Sequence, residues 1–249
     1  MPGLKYLGYG TERVEEELQA AFPKARIARM DSDTTRARLS HQQVLGRFAA
    51  GEADILLGTQ MIAKGLDIPR VTLVGVVSAD TALNLPDFRA AERTFQLLAQ
   101  VAGRAGRGPQ GGRVILQTFH PSHPAVKAAA AHDYTAFAAA ELAHRKALGY
   151  PPYGRLARVL VQGREEPAAE TRALSLGEAL RKASQPPVEI LGPAPCPIAR
   201  VEGWHRFHLL VKAPTQELVG RLLRSAAPAL REGSKNLRVV VDVDPTDML

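Results

Sequence analysis

The residues Gln100-Val101-Ala102-Gly103-Arg104-Ala105-Gly106-Arg107-Gly108 place two arginines three positions apart among glycines. A planar guanidinium makes paired hydrogen bonds to phosphate oxygens, and glycine lets the backbone turn tightly and approach a ligand closely. Arg104 and Arg107 therefore have the make-up of an arginine finger for phosphoryl transfer. A helix stopped by Gly103, with solvated arginines at its negative end, is the other physical reading of the same residues. A second group, Gly58 to Asp67, follows an apolar strand, and one loop there offers the Thr59 hydroxyl, the Gln60 amide, the Lys64 ammonium and the Asp67 carboxylate. Open α/β sheets bind ligands at the carboxyl ends of their strands, where this loop falls.

Two standard parts of a nucleotide-hydrolysing site are absent from the sequence. No Gly-Lys dipeptide occurs, so there is no phosphate-binding loop ending in lysine, and no Asp-Glu dipeptide occurs to hold magnesium and orient water. Taken alone, the chain is expected not to turn over ATP. The single cysteine, Cys196, cannot form an internal disulfide, and the pairs His120 with His123 and His205 with His208 lack metallohydrolase spacing, so no metal is assigned.

The elements that must position these groups follow from periodicity. Thr11 is placed to cap a helix with Val14, Leu18, Ala21 and Phe22 on its apolar face; a strand over Arg26 to Asp31 and a helix carrying Val44, Leu45 and Phe48 come next. Strands at Asp54 to Leu57, Val71 to Val77 and Arg113 to Phe119 lack polar alternation, which predicts a parallel sheet covered on both faces. Between the last two, Arg89 to Ala102 shows apolar positions at Phe95, Leu98 and Val101. Helices over His123 to Ala131 and Tyr134 to Ala147 lead to Pro151-Pro152, where helical geometry must end.

Beyond the prolines the order changes to strand Leu156 to Gln162, helix Ala168 to Ala183, strand Val188 to Leu191, and a hairpin turning at Glu202-Gly203 into an arm from Trp204 to Lys212. Helix Thr215 to Leu230 and strand Leu237 to Asp242 complete a split βαβ arrangement, with both helices on one face of an antiparallel sheet. The fold class is α/β followed by a smaller α+β domain. The expected division is residues 1–122, a helical connector at 123–149, and 150–249.

The 249 residues carry 32 Lys plus Arg against 25 Asp plus Glu, a formal charge of +7, and 45% of them are hydrophobic. That balance marks a basic chain, supports two modest cores and excludes a disordered tail. No apolar run approaches the ~20 residues of a membrane span, and the start lacks a signal-peptide core, so a cytoplasmic protein with no membrane association is expected.

At this level the first half resembles the second RecA-like lobe of superfamily 2 helicases, with Gly58-Thr59 in motif V and Gln100 to Arg107 in motif VI. Met30 to Thr35, Asn84 to Arg107, Leu148 to Tyr153, Leu191 to Pro195 and Asp242 to Pro245 are together similar to the family of bacterial primosomal replication-restart helicases. The resemblance implies a role for each residue. Arg107, helped by Arg104, would stabilise charge on the γ-phosphate, and Gln100 would sense that phosphate or its water. Gly103 and Gly106 would line the nucleotide, Asp67 would reach its ribose or couple the two sites, and Thr59, with Gln60 and Lys64, would touch the tracking DNA strand, although Lys64 reads equally as solvated. Asp31, Asp33 and Thr34 face the same cleft or cap a turn, while Arg89, Glu92 and Arg93 form an ion-pair lattice.

The same resemblance implies ATP and Mg2+ shared with a first lobe, and zinc bound in an insertion, both upstream of this chain. It also implies branched or forked and single-stranded DNA, single-strand binding protein, primosome proteins and the replicative-helicase loading machinery as partners. In the second domain, Arg206 would neutralise phosphate, and Trp204 would either stack on a base or pack in the core. The expected activity is that of the C-terminal part of an ATP-dependent 3′ to 5′ DNA helicase. The alternative is a fork-DNA and partner-binding restart protein that does not hydrolyse ATP.

Overall fold

The computed structural model describes residues 10–30, 38–59, 62, 68, 70–103 and 112–248. The chain divides into two compact units, one formed by residues up to Leu83 with Glu92–Tyr134, the other by Asn84–Ala91 with Thr135–Leu249. No helix among the described residues is long and apolar enough to cross a membrane.

In the first unit, helix α1 (Thr11–Ala21) precedes strand β1 (Ile27–Met30), and helix α2 (Arg38–Ala50) precedes strand β2 (Ile55–Gly58). Gly10 takes the cap position of α1, so Thr11 is the first helical residue and not the cap the sequence suggested. β1 and β2 pair in parallel from Ile27 with Ile55 to Met30 with Gly58. The turn into β2 is fixed by Arg26, whose backbone N–H and Nε donate to Asp54 Oδ2 at 2.9 Å and whose Nη2 donates to Asp54 Oδ1 at 2.8 Å. These donors hold the Asp54 carboxyl well below the usual carboxylate range.

Strand β3 (Leu73–Val76), the short helix α3 (Asp80–Leu83), helix α4 (Ala90–Ala102), strand β4 (Arg113–Leu116) and helix α5 (Pro124–Ala130) follow. β3 and β4 pair in parallel, Leu73 with Arg113 through Val76 with Leu116. Among the described residues the strands form two separate two-stranded sheets rather than the single covered sheet expected. Leu73 and Ile115 are each 57% exposed. A parallel pair is buried only where other elements lie over it, and α1 and α2 pack on the first pair.

The second unit begins, after Tyr134, along helix α6 (Tyr134–Leu148) and continues with strand β5 (Arg155–Gly163), helix α7 (Glu166–Ala183), strand β6 (Glu189–Val201) and strand β7 (Trp204–Ala213). Helices α8 (Gln216–Ser225) and α9 (Ala227–Arg231) and strand β8 (Leu237–Val243) complete it. The sheet order is β6-β7-β5-β8, antiparallel throughout. Val159, Val161, Leu209 and Val211 from the two central strands are fully buried with Ala173, Leu176 and Val219 from the helices. This is one apolar layer between a sheet face and its helices, the standard solution for burying a half-apolar sheet.

Two elements depart from the sequence reading. The expected helix from Thr215 to Leu230 is two helices: Thr215 caps α8 by accepting from the Leu218 N–H, and α8 stops before Pro228, which lacks an amide hydrogen and crowds the carbonyl four residues earlier. The strand expected to end at Leu191 instead runs on to Val201 through Pro193, Pro195 and Pro197, with register shifts after Leu191 and after Pro195. β6 is an outer strand, and an outer strand tolerates residues that cannot donate to the ladder. The hairpin turn at Glu202 and Gly203 has φ of 49° and 80°, the left-handed pair of a two-residue turn.

Candidate nucleotide and nucleic-acid site

Parallel pairing sets the position of the first loop. Gly58 ends β2 opposite Met30, and a Cβ added to Gly58 would lie 2.2 Å from the Met30 carbonyl oxygen. Only glycine lets the two strand ends close, and closure brings the chain out at the carboxyl edge with Thr59 exposed. The Thr59 carbonyl accepts from the Ile62 N–H at 3.1 Å.

The second motif is carried by α4. Phe95, Leu98 and Val101 form its buried stripe, and Thr94 is fully buried beside them. Gln100 is half-buried in the last turn, and the Gly103 N–H donates to the Ala99 carbonyl at 3.1 Å as the helix ends, with Gly103 itself exposed. Thr59, Gln100 and Gly103 are thus placed within the first unit. Gln60, Lys64, Asp67, Arg104, Gly106 and Arg107 lie outside the described residues, as do Asp31, Asp33 and Thr34.

In the second unit Trp204 opens β7 and is 8% exposed. The guanidinium carbons of Arg164 and Arg238 sit 4.3 Å and 4.2 Å from its ring centroid. Of the two readings of this tryptophan, the geometry answers to the packed one, since the indole spends its surface on its own chain's guanidinium groups. Arg206, two residues on, donates from Nη1 to the Ile198 carbonyl at 3.3 Å. His208 follows on the same face, and burial, then the nearby charges of Arg158 and Arg206, push its pKa down.

Comparison with known proteins gives these positions a family. Residues 8–109 match the Helicase conserved C-terminal domain, and residues 146–246 match the Primosomal protein N C-terminal domain. The chain belongs to the PriA family. Its sequence is 45% identical to the replication restart protein PriA of Bacillus subtilis over 97% of the chain and 30% of that protein. It is 46% identical to the PriA of Treponema pallidum over 98% of the chain and 37% of the relative. With the PriA of Synechocystis the identity is 48%, over 86% and 26% respectively. The chain thus spans roughly a third of its PriA relatives and corresponds to their C-terminal portion. The helicase match assigns the first unit a RecA-like α/β fold.

Sequence reasoning missed two clusters in this PriA chain. Asp87, Phe88 and Arg89 belong to the second unit, where Phe88 stacks on Tyr150 and the guanidinium groups of Arg89 and Arg145 lie 5.1 Å and 5.2 Å from its ring centroid. Arg89 Nη1 donates to the Thr246 carbonyl at 3.3 Å, and the Asp87 carboxylate accepts from the N–H groups of Arg89 and Met248. Arg89 precedes α4 instead of lying on it, so its guanidinium meets a ring and a carbonyl here rather than a helical ion-pair lattice. The second cluster joins Asp80 to Thr118 and His120 in the first unit. Neither has a local signal, because each unites residues tens of positions apart.

Proposed function

We propose that this PriA chain is the second motor lobe and C-terminal domain of an ATP-dependent 3′ to 5′ DNA helicase that restarts replication at stalled or branched forks. In this reading Arg107, with Arg104, stabilises charge developing on the γ-phosphate, and Gln100 senses that phosphate or its water. Asp67, Gly103 and Gly106 border the nucleotide. Thr59, Gln60 and Lys64 hold the tracking strand. A lobe bearing a phosphate-binding loop supplies the rest of the ATP and Mg2+ site, as this chain has neither a Gly-Lys nor an Asp-Glu dipeptide. The second unit, a split βαβ platform, engages fork DNA through Arg206 and through Arg164 and Arg238, which Trp204 holds in place. Single-strand binding protein, primosome proteins and the helicase-loading machinery are its protein partners.

The observation that carries the reading is the pair of placements inside one RecA-like unit. Thr59 is exposed at the carboxyl end of a parallel strand, and Gln100 rides the last turn of the helix that leads into the two arginines. The test is ATP turnover stimulated by DNA, measured with the chain alone and with the complementary P-loop lobe added. Negligible turnover alone, restored by the lobe and reduced ~10³-fold or more by Arg107→Ala, is expected. Restored turnover that ignores Arg107→Ala rejects the finger. Fork binding with no restored turnover selects the non-hydrolysing restart protein instead.

A further inference from the structure

We propose that the carboxyl edge of the β3–β4 pair carries a second contact for single-stranded nucleic acid, built from the exposed Phe119 ring, the His120 imidazole and the Lys127 ammonium. The proposal rests on the reading of this chain as a DNA-engaging protein. It adds a site that the helicase motifs do not contain.

The cluster is organised around Asp80, 8% exposed. Burial works to raise its pKa, but the hydrogen bonds from His120, the Phe119 amide and Thr118 outweigh that and hold the carboxyl below its ordinary value. Its Oδ1 accepts from Thr118 Oγ1 at 2.9 Å and lies 2.8 Å from His120 Nδ1, while Oδ2 accepts from the Phe119 N–H at 3.0 Å. An ionised carboxylate can only accept, so Nδ1 carries the imidazole proton. The other ring nitrogen, Nε2, is left for a ligand on a side chain that is 53% exposed. A base edge can donate to it.

The same carboxylate pins the backbone of Phe119, whose side chain is then 86% exposed. A large apolar ring held out in water by a fixed backbone exposes surface that packing would otherwise bury, and it presents a flat face on which a base can stack. Beside it an open groove is lined by Leu116, Thr118, Pro121 and Val126, with Lys127 on its wall. Apolar lining, one outward ring and a nearby ammonium match a nucleotide, with its base on the ring and its phosphate at the lysine. The chain's +7 charge favours such a polyanion over an apolar peptide.

The experiment uses the full chain and a fluorescent oligothymidylate, followed by anisotropy. Phe119→Ala is expected to weaken binding by about 5- to 100-fold. Lys127→Ala is expected to reduce the slope of log affinity against log salt by about 1. Both residues are exposed, so neither change should disturb folding. A Phe119→Trp variant gives a direct readout: its added emission should be quenched as the oligonucleotide saturates. Binding that persists at wild-type strength in Phe119→Ala, with the introduced tryptophan unquenched, overturns this site and leaves the helicase reading standing. Absence of any oligonucleotide binding by the chain overturns both. Quenching by an acidic peptide and not by the oligonucleotide assigns the groove to a protein and also overturns the proposal.

Discussion

The rings of Phe88 and Tyr150 stack with centroids 5.5 Å apart and planes inclined by 11°. Residues 62 positions apart in sequence are thereby joined, and Arg145, itself paired to Glu141 at 2.7 Å, lies against the Phe88 ring. Replacing Phe88 with Ala removes the stack and two cation contacts together. The second unit should lose about 2 kcal/mol in denaturant unfolding, with Phe88→Tyr recovering most of it. An unchanged unfolding midpoint in Phe88→Ala would show that the stack contributes nothing.

Gly58 is the point where the first parallel pair cannot accept a side chain. In Gly58→Ala the new methyl would meet the Met30 carbonyl, and β1 and β2 would have to part at their carboxyl ends. A loss of about 2 kcal/mol in the first unit is expected. Hydrogen exchange at Arg29 and Met30 should quicken in step, and an Ala variant with native protection there would contradict the close approach.

Trp204 is the sole tryptophan, so its emission reports one place. Buried beneath Arg164 and Arg238, it should emit at short wavelength and change little when DNA is added. Trp204→Ala should destabilise the second unit by about 3 kcal/mol. Strong quenching of the native tryptophan by DNA would restore the base-stacking role.

His208 gives the second unit a pH dependence of known sign. Its folded pKa lies below the ordinary imidazole value, so the unfolded chain takes up the proton first as pH falls. The stability it contributes is complete above that value and is lost as pH drops through the lower folded value. Between about pH 7.5 and about pH 5.5 the unfolding midpoint should therefore fall, and His208→Gln should flatten part of that slope. Equal slopes in the two proteins would remove His208 from the account.

What was readable in the sequence was local. The stripe Phe95, Leu98, Val101 announces α4 and its buried side, and Glu202-Gly203 announces the hairpin. Pro228 also carried its message, since a proline in a helical pattern breaks it, but the apolar periodicity across Thr215 to Leu230 hid the break. The prolines of β6 misled in the opposite sense. They disfavour a central strand and are harmless on an outer one, and position within a sheet is a non-local property. In the candidate site, residue types and spacing picked out Thr59 and Gln100. The carboxylate that arranges Phe119 and His120 comes from 39 and 40 residues away, and no spacing rule reaches that far.

β8 lies at the other margin of the same sheet and, among the described residues, pairs only with β5. Its Val239, Val240 and Val241 stand on a backbone with one side unladdered, a ready template for the strand of another molecule. Arg238 and Asp242 bracket the three valines with opposite charges. A strand laid there from any other molecule must answer a cation at one end of the run and an anion at the other, so the margin selects by charge order as well as by apolarity.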